Sequence, residues 1–144
     1  MGTPTTEDAK LILKLVRIGQ SDVQREAFRF VTTEFSAKDY AEFAEKYPHG
    51  SKESQQVGTV LGFFETAGVL VSHGLLNEDI FFDLSFGLDP VWEKLGPILP
   101  GWQKATMPAL WENAIWLHRR YVAWRKNVWT PNLKWKSKAA RRKK

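Results

Sequence analysis

The sequence predicts an all-α fold: a single compact bundle of six or seven helices, followed by a basic, flexible C-terminal tail. Three observations carry this expectation. Apolar residues recur at three- and four-residue spacing through most of the chain. Cap residues and Gly or Pro breakers stand at the ends of the successive apolar runs. The 144 residues are 43% hydrophobic and 26% charged, which is enough for one core and too apolar for a disordered chain.

Thr5 and Asp8, three residues apart, form a capping-box pattern that opens a first helix presenting Leu11, Ile12, Leu15, Val16 and Ile18; Gly19 ends it. Ser21 and Gln24 repeat the pattern ahead of a stripe of Val23, Ala27, Phe30 and Val31. Ser36 and Asp39 open a third helix with Tyr40, Phe43, Ala44 and Tyr47 on one face. Pro48 stops it, because proline disfavours helical geometry in the preceding residue. From about Lys52 to His73, Val57, Val60, Leu61, Phe64, Gly68 and Val71 keep helical spacing, with Gly74 as the C-terminal cap. This segment is rich in Val and Gly, so a strand is the alternative there; its uninterrupted length favours helix.

Asn77 caps a short helix with Ile80, Phe81 and Leu84, ended by Gly87. Asp89-Pro90 places a cap and a first-turn proline together ahead of Val91, Leu95 and Ile98, and Pro97 kinks or ends that helix. PGWQKAT then reads as a loop. Pro108 starts the last long helix, through to about Val128, apolar over much of its circumference and so expected near the centre of the bundle. The helical domain spans 1–129 and the basic tail 130–144.

The segments QREAFRFV (24–31), FFETAGVLVSHGLLNED (63–79), VWEKLGPIL (91–99) and ALWENAIWL (109–117) follow one another in an order that resembles domain-of-unknown-function family 4760, a prokaryotic group of small proteins. The resemblance covers roughly residues 11–124. It implies the helical fold and brings no activity, cofactor or site residue with it. Many members of that family carry an N-terminal membrane-spanning helix ahead of this domain. Here the start, MGTPTTEDAK, has neither that feature nor the basic and apolar regions of a secretory signal, and no apolar run reaches the roughly 18 residues needed to span. A cytoplasmic location is expected.

Chemistry-bearing motifs are few. There is no cysteine, which excludes disulfides, thiolate metal sites and a cysteine nucleophile. Phosphate-binding, nucleotide-binding and serine-hydrolase signatures are missing as well. His49, His73 and His118 lack a histidine partner at metal-ligand spacing and are read as structural. Glu78, Asp79 and Asp83 are the best carboxylate cluster. Asp79 and Asp83 share a face that could in principle meet Mg²⁺, but a solvated first helical turn is the preferred reading. Gly58 and Gly62, one turn apart, fit internal helix packing or a helix contact with a partner. No cofactor and no catalytic residue are assigned, and the chain is not expected to be an enzyme.

The strongest signal is the division of charge. Residues 1–100 hold 9 Lys+Arg against 15 Asp+Glu, whereas residues 101–144 hold 12 against 1. All seven tryptophans lie between Trp92 and Trp135. The expected function is a non-enzymatic interaction module whose basic end binds an anionic polymer: DNA, RNA or a ribonucleoprotein. Lys134, Lys136, Lys138, Arg141, Arg142, Lys143 and Lys144 would supply charge, and Arg119, Arg120, Arg125 and Lys126 a folded extension of it. Trp129 and Trp135 would stack on bases. The alternatives are a protein-interaction or regulatory domain with an incidental solubilising tail, and peripheral association with an anionic membrane. The two oppositely charged halves can also attract one another.

Overall fold

A computed structural model describes residues 2–128. Among them the fold is all helical: α1 (Thr6–Gly19), α2 (Asp22–Thr33), α3 (Tyr40–Lys46), α4 (Lys52–Ser72), α5 (Glu78–Leu84), α6 (Leu88–Leu95), α7 (Leu99–Ala105) and α8 (Glu112–Val128). A 3-10 turn, Gly96–Ile98, joins α6 to α7, so residues 88–105 form one bent helical stretch. The tail from residue 129 onward lies outside the described residues.

Local chemistry sets most helix starts. Thr5 and Asp8 close the capping box on α1: the Thr5 hydroxyl accepts from the Asp8 N–H, and the Thr5 N–H donates to Asp8 Oδ2 at 2.8 Å. Ser21, Ser51 and Asn77 cap α2, α4 and α5 with their side chains. Asp8 does more than cap. Its Oδ1 accepts the Asn77 N–H at 2.9 Å, which ties the start of α1 to the start of α5. The Thr5 and Asn77 backbone donors hold its carboxyl below the usual aspartate range, outweighing the opposing effect of burial.

Several boundaries differ from the sequence expectation, each for a tertiary or conformational reason. The α3 cap is Asp39, whose carboxylate accepts the Glu42 N–H, and not Ser36. Gln24 does not complete a capping box, because its amide reaches across to the Thr59 carbonyl on α4. Val23 is exposed, off the buried stripe of Ala27, Phe30 and Val31. Gly87, with φ +72°, is the N-cap of α6, which leaves Asp89 inside the first turn and free to face α8. PGWQKAT is mostly helix α7. Pro100 occupies its first turn, where no N–H is needed. Gly101 then lets α7 close on α3, since a Cβ there would stand 2.7 Å from the Tyr40 Cβ. Trp102 stacks on the Tyr40 ring at 5.9 Å. The last helix starts at Glu112 and not at Pro108, because Trp111 takes a left-handed conformation (φ +56°) that ends the intervening turn.

The central helix is α4. It buries Val57, Val60, Leu61, Phe63, Phe64, Ala67, Gly68 and Val71, with α2 on one side and α8 on another. Helix α8 was expected at the centre; it packs on α4, buries Ala114, Leu117, Tyr121 and Trp124, the last two against Phe82 of α5, and leaves Glu112, Arg119 and Lys126 exposed. Two residues of α4 set this crossing. A Cβ on Gly68 would fall 2.3 Å from the Asn113 carbonyl oxygen, so only glycine allows the approach. One turn earlier, Glu65 caps α8 from outside: Oε1 accepts the N–H groups of Asn113 and Ala114 at 3.1 and 3.0 Å, and Oε2 accepts the Asn113 amide at 2.7 Å. By contrast, Gly58 and Gly62 face open space, with nothing within 4 Å of a Cβ added at either. They are not an internal packing motif among the described residues.

The three glycines of α4 therefore respond in opposite directions to alanine. Gly68→Ala is expected to cost about 1–3 kcal/mol or more through overpacking against backbone. Gly58→Ala and Gly62→Ala are each expected to add roughly 0.5–1 kcal/mol through helix propensity alone. Urea denaturation of the three variants checks the contrast.

Candidate functional site

Helix α8 carries the described part of the basic end, and its flank toward α5 and α6 meets the acids of the body. Arg120 lies on Glu78 in a forked contact, with Nη2 2.9 Å from Oε1 and 2.6 Å from Oε2. Glu78 is buried, so its charge is matched in a setting of low polarity. One turn on, Trp124 Nε1–H donates to Asp79 Oδ1 at 2.7 Å. Arg125 Nη1 donates to Asp89 Oδ2, while its guanidinium lies 5.3 Å from the centroid of the Tyr121 ring. The attraction between the two halves of the sequence is thus partly realised inside the molecule, through Glu78–Arg120 and Asp89–Arg125.

These contacts revise the reading of the acidic cluster. Glu78 and Asp79 are not a solvated first turn; they are the surface on which α8 is seated. Among the described residues no group of three or more His, Asp or Glu stands where it could hold a metal ion.

The proposed binding residues divide into three groups. Arg120 and Arg125 are half-buried and paired with body acids. Arg119 and Lys126 are exposed and form no ion pair among the described residues. Trp129, Lys134, Trp135, Lys136, Lys138, Arg141, Arg142, Lys143 and Lys144 lie outside the described residues. The aromatic residues interleaved with the α8 bases are not free to stack on a ligand: Tyr121 and Trp124 are buried and pack on Phe82.

Arg119 borders a cleft of about 400 Å³ that is also lined by Trp92, Gln103, Glu112, Ile115 and His118. Trp92 and His118 stack in parallel, with ring centroids 4.6 Å apart and planes at 10°. Gly96 makes room for the indole, since a Cβ there would stand 3.1 Å from it. His118 Nε2 is 3.9 Å from Asp89 Oδ1, too far for a hydrogen bond. Burial holds the His118 pKa below the ordinary histidine value; Asp89 pulls it up and Arg125 pushes it down, and burial prevails. The cleft therefore offers an imidazole stacked on an indole, with Arg119, in no ion pair among the described residues, and the Glu112 carboxylate in its lining. Asp89 is not the α6 cap that its place before Pro90 suggests: it pairs with Arg125 and acts on His118 through its charge, 36 and 29 positions away, and no local signal marks either.

No helix among the described residues is long and apolar enough to cross a membrane. A family model described as "Domain of unknown function (DUF4760)" matches residues 4–121. No curated protein and no solved structure matches the chain.

The His118 pKa gives a signed pH prediction. Below about pH 6.5 the unfolded chain takes up a proton that folded His118 resists, so this group's contribution to stability falls as pH drops through that range. In an NMR titration His118 is expected to change charge below the ordinary histidine value. Asp89→Asn removes the one upward influence and is expected to move the midpoint lower still. A midpoint at or above 6.5 in the parent contradicts the burial argument.

Proposed function

The chain belongs to the DUF4760 family, and from its own residues we propose that it is a non-enzymatic interaction module whose basic C-terminal end binds an anionic partner, nucleic acid or a ribonucleoprotein. One observation carries the proposal. Residues 117–144 contain 11 Lys+Arg and no Asp or Glu, and within α8 the body neutralises only Arg120 and Arg125. Arg119 and Lys126 remain exposed on the stem from which the basic segment continues. Such a run neutralises phosphates, and Trp129 and Trp135 within it supply faces on which bases can stack.

Seating of α8 on Glu78, Asp79 and Asp89 supports the same reading. It fixes the orientation of α8, at the end of which the basic segment of the sequence begins. The seated arginines also lose their freedom to reach a ligand. The candidate set on the folded part therefore contracts to Arg119 and Lys126.

A second reading, a protein-interaction domain, is favoured by Gly58 and Gly62 on α4, where an added Cβ at either would meet nothing within 4 Å among the described residues. Gly62→Leu would block close approach of a partner helix there, and it should leave nucleic-acid affinity unchanged if the first reading holds.

The test compares the full chain, a chain ending at Val128, and a full chain with the seven tail Lys and Arg changed to Gln. Each is titrated against labelled DNA, RNA and anionic liposomes across a salt series. If about four to six phosphates are neutralised, log K falls with log salt at a slope of about −4 to −5 on duplex DNA, and both altered chains lose that dependence. Equal binding by all three forms, or binding to none of the nucleic acids, overturns the proposal. Binding confined to liposomes reassigns the basic end to a membrane surface.

A further inference from the structure

A second cleft, of about 440 Å³, opens between the end of α1, α2, α4 and the turn after α5. Its volume falls in the range typical of small-ligand sites. Val60, Phe63 and Phe64 form a buried apolar floor, and Leu84, half exposed, stands at the mouth. Arg25 is the one ionisable side chain in the lining, and among the described residues it forms no ion pair. Gln20 and Gln24 are its polar neighbours in the wall.

One wall is built from backbone in an unfavourable conformation. Ser85, Phe86 and Gly87 follow one another with φ of +58°, +46° and +72°. Consecutive left-handed residues are rare, and a bulky residue there is a genuine outlier held by its surroundings. Here the surroundings are aromatic. Phe86 stacks on Phe81 at 4.9 Å and packs on Phe63 at 5.5 Å. Gly87 is in turn covered by the ring of Phe28, which would be 2.5 Å from a Cβ. The cleft is thus held open by a strained turn locked between rings. Such a site is pre-organised, which lowers the ordering cost of binding.

We propose that this cleft is a binding site for a medium-chain carboxylate, with the alkyl chain against Val60, Phe63 and Phe64 and the carboxylate on the Arg25 guanidinium. The apolar floor selects the chain. The unpaired cation at the edge, with no carboxylate among its lining neighbours, selects a negative head group. This assignment is independent of the basic C-terminal end.

Calorimetric titration of the full chain with hexanoate, octanoate, decanoate and decanol, below their aggregation limits, tests it. Each added methylene buries apolar surface, so each two-carbon extension is expected to tighten Kd about tenfold until the cleft is full. Decanoate is expected to bind at one site and more tightly than decanol. Arg25→Gln should erase that preference while decanol binding persists. Gly19→Leu should abolish both, because a Cβ at Gly19 points at Phe63 and Phe86 from 3.9–4.0 Å, so that a longer side chain enters the cleft. Absence of saturable binding, affinity independent of chain length, or decanoate binding unchanged in both variants overturns the proposal. The last outcome also separates it from nonspecific attraction of carboxylates to the C-terminal cations.

Discussion

The close crossing of α4 and α8 is the constraint on which the remaining structure rests. Gly68 admits the Asn113 carbonyl, and Glu65 accepts the first free N–H groups of α8. A helix start needs acceptors for its leading N–H groups, and those are usually supplied by the preceding residues. Here the Trp111 carbonyl serves Ile115 and its side chain offers no acceptor, so the N–H groups of Asn113 and Ala114 are capped from another helix. Once that end is pinned, the register along α8 follows. Arg120 lands on Glu78, Trp124 on Asp79 and Arg125 on Asp89, on two further helices.

The charge asymmetry of the chain then has two parts with different physical meanings. One part is internal. Glu78 is buried and bound in a fork by Arg120, an arrangement whose worth lies in orientation more than in net stability, because desolvating both ions offsets much of their attraction. The other part comprises Arg119 and Lys126, exposed on α8 and in no ion pair among the described residues, and the basic run of the terminal sequence. The first part anchors the helix that carries Arg119 and Lys126, the described members of the second.

What was legible in the sequence was what acts within a few residues. The caps at Thr5, Ser21 and Asn77, and the stop at Pro48, read correctly because each is a contact between near neighbours. The same logic failed where the partner is remote. Glu65 lies within an apolar run of the sequence, and nothing nearby marks its donors, which sit 48 and 49 residues downstream. Asp79 looked solvated, and its indole partner is 45 residues away. Spacing places Gly68 on the buried stripe of α4, but only the position of α8 shows that no larger residue fits there. Helix α7 was hidden because Pro100 and Gly101, ordinarily breakers, serve here as a first-turn residue and a close-contact residue. The cleft near Arg25 was equally hidden, since Phe86 gives no sequence sign of a left-handed backbone.

Native-state hydrogen exchange, resolved by residue, tests the central constraint most directly. If Glu65 and Gly68 join α8 to the central helix, the inner amides of α4 and α8 open together as the most protected set. Glu65→Ala should then lower protection at Asn113 and Ala114 and through the rest of α8. Rapid exchange of α8 in the parent while α4 stays protected would contradict the account, as would full protection of the α8 start in Glu65→Ala.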